Sequence, residues 1–332
     1  MYKPKHKTLT DAIVKLKNVK RSSARVYSSN LARIHRDFLP QSTYHQNMKW
    51  MASNSDQLLT KLKALKNPNV QRNMLAASLI GLDIAAVSPE KRHKFIDQIK
   101  VLNNKQRELS VSGEMSEKAL KKFVSWKKIL SLRALLARTV RLGKFYSRSK
   151  LVRSEFSSIS HNLILQLYTQ VPPLRNTWAS VIFKTQTEFD DMSKAEKTHK
   201  NILVMSKARY RVYWGDYKTI KKHGVKMQLM PKKLQTVLKK HIKFLKRFFP
   251  QNDRLIVNQQ GRPLSSNALT QLMQRMFYKH FRKKIGTSTL RSIFLTHTFD
   301  KSALEKQRQI ASDMHHTPAV ARDFYVKTKP DE

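Results

Sequence analysis

Apolar residues recur at helical spacing through most of this chain, and this pattern limits the folds that the chain can adopt. Leu58, Leu59, Leu62 and Leu65 are one example of positions that share a single helix face. Glycine is rare, with seven residues in 332, whereas sheet-rich proteins use glycine at many of their turns. The sequence therefore predicts a mainly α-helical protein.

The apolar pattern changes between Asn201 and Leu229. Three short runs rich in β-branched and aromatic residues lie there, separated by short turns, at residues 202–205, 211–214 and 225–229. Short turns between strands favour antiparallel pairing. We therefore predict a mainly α protein with a small antiparallel β-sheet, which is an α+β fold class.

The length of 332 residues is enough for two domains. Residues 108–117 are polar, lose the basic excess of their surroundings and contain a glycine, so they are predicted to be the linker. The predicted organisation is a basic N-terminal arm at 1–22, a helical domain at 23–112 and a second domain at 113–332. The arm is also compatible with a helix of the first domain. Ser116 and Glu117 are predicted to open one long amphipathic helix.

The chain carries a large excess of positive charge. It has 66 Lys and Arg against 22 Asp and Glu, a formal net charge of +44 and a pI near 10.6. Such an excess repels itself unless a polyanion neutralises it, and nucleic acid releases counterions when Lys and Arg bind its phosphates. On charge alone, a ribosomal or packaging protein is as good an interpretation as a DNA-processing enzyme.

Other partners and chemistries are less favoured. No stretch approaches the roughly 18 apolar residues of a membrane span, and no apolar signal core follows the N-terminus, so we expect neither a membrane partner nor secretion. The compartment is left open. Cysteine is absent, which excludes disulfides, Cys-ligated zinc and thiol nucleophiles.

Five residues could together break a phosphodiester bond without a metal. This reaction needs a nucleophile, cations around the non-bridging oxygens and a proton donor for the leaving oxygen. Tyr325 lies nine positions after His316 and could be the nucleophile. The candidates, in chain order, are Arg175, Lys218, Arg291, His316 and Tyr325.

In this order and spacing, the sequence resembles the tyrosine recombinases, the phage-type integrases. Their signature is an Arg, a hairpin Lys, a His-x-x-Arg motif, a His or Trp, and a Tyr near the C-terminus. The resemblance covers residues 115–327, and Arg175 and Lys218 lie in segments that look most like integrases of virophages or related viral and transposon-borne elements.

The resemblance implies a helical core-binding domain and a catalytic domain that form a C-shaped clamp on double-stranded DNA. It also implies a homotetramer on two DNA sites, and no metal, nucleotide cofactor or small-molecule substrate. Tyr325 would attack the scissile phosphate and hold the 3′ end. Arg175, Arg291 and His316 would bind the non-bridging oxygens, and Lys218 would protonate the leaving 5′ oxygen.

The sequence departs from the family pattern at two positions. Ser288 stands at the first position of His-x-x-Arg, where a hydroxyl can donate a hydrogen bond to phosphate but cannot titrate near neutral pH. Trp178 stands where many members have an acid. These departures keep two alternatives open: relaxation of DNA by a type IB topoisomerase reaction, and a DNA-binding protein without catalysis.

Overall fold

The computed structural model describes residues 8–111, 115–299 and 301–313. The chain divides into two compact units, residues 1–114 and 115–332. Within the described ranges, no helix is both long enough and apolar enough to cross a membrane.

Unit 1 is helical in its described part. Its helices surround a core that includes Leu31, Leu58 and Leu75, which are all fully buried. Asn67 caps one of them by accepting backbone N–H bonds, with Pro68 at the first helical position. The helices are α1 (Leu9–Lys17), α2 (Arg21–Phe38), α3 (Lys49–Ser53), α4 (Ser55–Lys63), α5 (Pro68–Ile84) and α6 (Pro89–Val111).

Two of these helices lie where the sequence suggested an arm and a linker. Helix α1 falls within residues 1–22, and its Leu9 and Ile13 side chains are buried in the core of unit 1. Helix α6 continues to Val111, through the first residues of the predicted linker. Residues 1–7 and 112–114 lie outside the described residues.

Unit 2 combines helices with one four-stranded sheet. Its helices are α7 (Glu117–Leu120), α8 (Trp126–Leu142), α9 (Arg153–Thr169), α10 (Gln186–Asp190), α11 (Lys194–Lys197), α12 (Ile220–His223), α13 (Lys232–Phe248), α14 (Ser266–Phe281), α15 (Thr287–Thr298) and α16 (Lys301–Asp313). The strands are β1 (Val181–Thr185), β2 (Asn201–Met205), β3 (Tyr210–Trp214) and β4 (Lys226–Leu229). Two 3₁₀ helices are Phe145–Ser147 and Asn176–Ser180.

The structure confirms the three predicted strands and their antiparallel pairing, but the sheet is mixed and not purely antiparallel, because it has a fourth strand. Its order is β1-β2-β3-β4, and β1, which the sequence prediction missed, pairs with β2 in parallel. The other two pairs are antiparallel. A parallel pair needs a long crossover, and the segment carrying α10 and α11 supplies it between β1 and β2.

The single helix predicted from Ser116 is wrong, because a second capping residue interrupts it. The Ser116 side chain accepts a hydrogen bond from the Ala119 N–H at the start of α7. The Ser125 side chain then accepts one from the Lys128 N–H and starts α8. Serine at this position favours a helix start over a helix interior.

Candidate active site

Arg175 lies directly before the 3₁₀ helix Asn176–Ser180, at the exit of α9. Its side chain is exposed. The fully buried Tyr168, near the end of α9, donates a hydrogen bond from its hydroxyl to the Arg175 carbonyl at 2.8 Å. Burial raises the pKa of Tyr168, so this donor keeps its proton. The backbone at Arg175 is therefore fixed to the core of unit 2 while the guanidinium reaches solvent.

Lys218 lies in the connection between the antiparallel strands β3 and β4, and its side chain is exposed. The start of this connection is held by Asn201, the first residue of β2, which is 1% exposed. The Asn201 side chain donates to the Asp216 carbonyl at 2.7 Å and accepts from the Asp216 N–H at 3.1 Å. The turn that carries Lys218 thus begins from a fixed backbone position.

Asn201 also joins this turn to the segment of Arg175. Its Nδ2 atom donates a further hydrogen bond to Ser180 Oγ at 2.8 Å, and Ser180 ends the 3₁₀ helix that Arg175 precedes. One buried amide therefore connects the two segments that carry predicted cations.

Ser288 and Arg291 lie on the first turns of α15. They are three positions apart, so they share one face of the helix. Ser288 is exposed and Arg291 is half-buried, whereas Leu290 and Ile293 point into the core of unit 2. The first N–H groups of a helix and a Ser hydroxyl can all donate to a phosphate. This end of α15 is thus suited to bind an anion.

Thr270 of α14 connects the segment of Arg175 with the start of α15. Its Oγ1 accepts a hydrogen bond from Asn176 Nδ2 at 2.8 Å. Its Cγ2 would lie 3.5 Å from a Cβ built on Gly286, the residue before α15. Asn176, the neighbour of Arg175, is therefore bound to a threonine that lies close to Gly286 at the start of α15. The structure joins the segments carrying Arg175 and Lys218 through Asn201, and Thr270 lies between the Arg175 segment and the start of the helix that carries Ser288 and Arg291.

Trp178 serves as a core residue at the position where the recombinase pattern has an acid. It is fully buried and packs edge-to-face on Trp214 of β3, with ring centroids 5.0 Å apart. Trp214 in turn donates to Gln228 Oε1 at 2.9 Å. The 3₁₀ helix beside Arg175 is thus held on the sheet by aromatic packing.

His316 and Tyr325 lie outside the described residues, so the predicted nucleophile and its neighbouring His stay predictions. In the described part of the chain, no group of three or more His, Asp or Glu side chains is placed to hold a metal ion.

The sequence analysis missed the residues that position the site, namely Asn176, Thr270 and Asn201. For Asn201 a signal existed, because it is a polar residue at the head of an apolar strand, Ile202–Met205. The sequence held no such signal for Asn176 and Thr270, because polar residues at a helix start or on a helix surface are common.

We expect Asn201→Ala to loosen the site and to destabilise unit 2. The change removes three hydrogen bonds from a buried place, where such losses cost about 2–4 kcal/mol in total. Denaturant unfolding measures this loss, and the predicted DNA cleavage should slow as well because the Lys218 turn is no longer fixed.

Asn258→Ala is the matched control for Asn201→Ala. Asn258 also organises a turn, since its Oδ1 accepts from the Gln260 and Arg262 N–H groups at 2.9 Å each. That turn is partly open to water, so we expect a loss below about 1 kcal/mol and no change in cleavage. Equal losses in both variants would show that Asn201 has no special positioning role.

Comparisons with known proteins find little similarity. No family model matches the sequence, and no curated protein matches it. Among solved structures, the chain is similar to the XerH site-specific recombinase bound to its difH substrate in a pre-cleavage complex, with a TM-score of 0.46 and 11% sequence identity. The match covers 96% of this chain and 84% of the other. At that score and identity, function is inferred from the residues of the chain itself.

Proposed function

We propose that this chain breaks and rejoins DNA as a tyrosine recombinase, in site-specific recombination or integration. One observation supports this most: Asn201 joins the segments that carry Arg175 and Lys218, and Thr270 binds the Arg175 segment close to the start of the helix that carries Ser288 and Arg291. These segments are far apart in sequence, and the recombinase reaction needs their side chains around one phosphate.

In the proposed reaction, the Tyr325 hydroxyl gives its proton to water while its oxygen attacks the scissile phosphorus and forms a 3′-phosphotyrosyl bond. The bond to the 5′ oxygen breaks, and Lys218 gives that oxygen its proton. Arg175 and Arg291 bind the non-bridging oxygens, because a guanidinium matches two phosphate oxygens at once. Ser288 donates a hydrogen bond there, and His316 completes the set. The covalent link conserves bond energy, so the same site can reseal the strand.

The proposal includes the partner and the assembly. The net charge of +44 favours double-stranded DNA, with unit 1 as the core-binding domain and the two units as a clamp. Strand exchange between two sites calls for a homotetramer. The finer relationship to virophage or transposon-borne integrases belongs to the same proposal and is carried by the segments around Arg175 and Lys218.

Trapping on a nicked suicide duplex tests the proposed reaction. The substrate is taken from the DNA that flanks the gene, and loss of a short 5′ fragment prevents resealing. We expect a protein–DNA adduct that resists SDS and that forms equally well in EDTA, since no metal takes part. Wild-type protein that binds this DNA without forming an adduct would contradict the proposal.

Ser288 supports a second candidate function, a DNA-binding protein without catalysis, because it stands where the family has a titratable His. That candidate predicts tight DNA binding and no adduct. A type IB topoisomerase would form the adduct as well, but it would relax supercoiled DNA and yield no recombinants from two marked duplexes. The two assays together separate the three functions.

A further inference from the structure

Helices α8, α9 and α14 surround an open cleft of about 620 Å³ in unit 2. Its basic side chains come from the first turns of α9 and from the second half of α14. We call this the cationic cleft and define it by Arg153, His161, Arg275, Lys279 and His280.

The cationic cleft has no carboxylate in its wall. The nearest acid along the chain is Glu155, on the first turn of α9, and its carboxylate is already bound to Arg148 and to the Val152 N–H. Among the described residues, no ion pair is formed by Arg153, Arg275 or Lys279. Three permanent positive charges thus face one space without a counter-charge from the described chain.

The lowered pKa of His161 indicates that the cationic cleft disfavours a further positive charge. Burial, together with the charges of His280, Lys279 and Arg275, lowers the pKa of His161 to about 4. The imidazole is therefore neutral at physiological pH. An anion in the cleft would raise the pKa of His161, because a nearby negative charge stabilises the protonated ring.

The beginning of α9 adds to the positive potential of the cationic cleft. Arg153 and Ser154 are the first two residues of this 17-residue helix, and both line the cleft. The first N–H groups of a helix lack partners within the helix and carry its positive dipole end. The N-terminal end of α9 therefore lies at the cleft wall beside the side-chain cations.

The cationic cleft and the candidate active site share helix α14. Thr270 on this helix binds Asn176 beside Arg175, while Arg275 and Lys279 on the same helix line the cleft. At 1.5 Å rise per residue, Thr270 and Lys279 are roughly 14 Å apart along the helix axis, about four base-pair steps of a duplex.

We propose that the cationic cleft binds a backbone phosphate of the DNA, separate from the phosphate that is cleaved. The inference rests on the proposed function only in so far as the chain binds duplex DNA, and it needs no catalysis. The cleft would add affinity and hold the duplex in position through phosphate contacts, which carry no sequence information.

Salt dependence of DNA binding tests this site with the full-length protein and a duplex of arbitrary sequence. The double variant Arg275→Ala/Lys279→Ala should bind more weakly, and its log–log plot of affinity against salt should be shallower by about 0.9, the value for one lost phosphate contact. Both side chains are exposed, so we expect no loss of folding, which thermal unfolding checks.

Lys207→Ala/Arg209→Ala is the matched control, because it also removes one Lys and one Arg. Both residues are exposed in the turn between β2 and β3, at the end of β3 opposite the Lys218 turn. This variant should keep the wild-type slope. An unchanged slope in the cleft variant, or an equal reduction in the control, would overturn the proposal.

A second readout uses His161 as a probe. NMR titration of its imidazole, assigned with His161→Gln, should show a higher pKa when the duplex is bound than in free protein. No rise on DNA binding would overturn the proposal, as would an equal rise with inorganic phosphate alone at the same phosphate concentration.

If the cleft tests succeed while the suicide duplex yields no adduct, the phosphate site stands and only the catalytic proposal fails.

Discussion

Tyr325→Phe protein should form no SDS-resistant adduct on the suicide duplex under conditions in which wild-type protein accumulates it. The substitution removes a single oxygen, the atom that would bond to phosphorus, and keeps the aromatic ring. DNA affinity should stay close to that of wild type, because a phenol contributes no positive charge to phosphate binding. A gel-shift assay and adduct formation, measured on the same preparation, separate these two properties.

Tyr278→Phe is the matched control for this substitution. Tyr278 is 45% exposed on α14, and the change again removes one phenolic oxygen from an accessible ring. Its adduct yield should equal that of wild type. Adduct formed by the Tyr325→Phe protein in wild-type amounts would exclude Tyr325 as the nucleophile, and mapping the peptide attached to DNA would then identify the residue that acts instead.

Arg291→Ala should slow adduct formation by about 10²–10³-fold at saturating DNA, the range typical for removing one group that stabilises charge in a transition state. The rate of Arg291→Lys should lie between those of Arg291→Ala and wild type, because Lys keeps the charge but cannot bind two phosphate oxygens as a planar fork. Single-turnover rates on the suicide duplex measure both effects. Stability should change little, since the side chain is only half-buried.

Arg262→Ala provides the control for loss of one arginine charge. Arg262 is exposed in the turn after Gly261, and nothing in the sequence pattern places it in the reaction. Its adduct rate should match wild type. If Arg291→Ala forms adduct at the wild-type rate, the role given to Arg291 is wrong. If Arg262→Ala is as slow as Arg291→Ala, the loss of rate comes from the lower net charge, and that role is wrong as well.

The sequence was sufficient for the features that depend on local patterns. Runs rich in β-branched and aromatic residues located β2, β3 and β4, and the polar run at 108–117 suggested a boundary between two domains. Local pattern failed where a partner distant in sequence decides the structure. Strand β1 is as long as β2 and rich in strand-forming residues, but it stands alone between helical segments and pairs with β2 only across two intervening helices.

The residues of the candidate site fall into the same two groups, those that a sequence pattern selects and those that depend on partners distant in sequence. Residue type and order were enough to select Arg175, Lys218 and Arg291, because phosphate chemistry needs cations. The residues that join their segments were not selected, although Asn201 stands out as a polar residue at the head of an apolar strand. Asn201 and Thr270 act through hydrogen bonds to distant segments that form only when the chain has folded, and Trp178 supports the 3₁₀ helix by packing on a tryptophan 36 positions away in sequence.

The packing of Trp178 has a consequence for how the site responds to acid. Its indole does not titrate, and neither do the amides of Asn176 and Asn201 or the hydroxyl of Thr270. Tyr168 keeps its proton because burial raises its pKa. The framework that we describe around Arg175 therefore holds the same charge from mildly acidic to mildly alkaline solution. A change in strand-breakage rate over that range would report on the groups that touch DNA, and not on the framework that holds them.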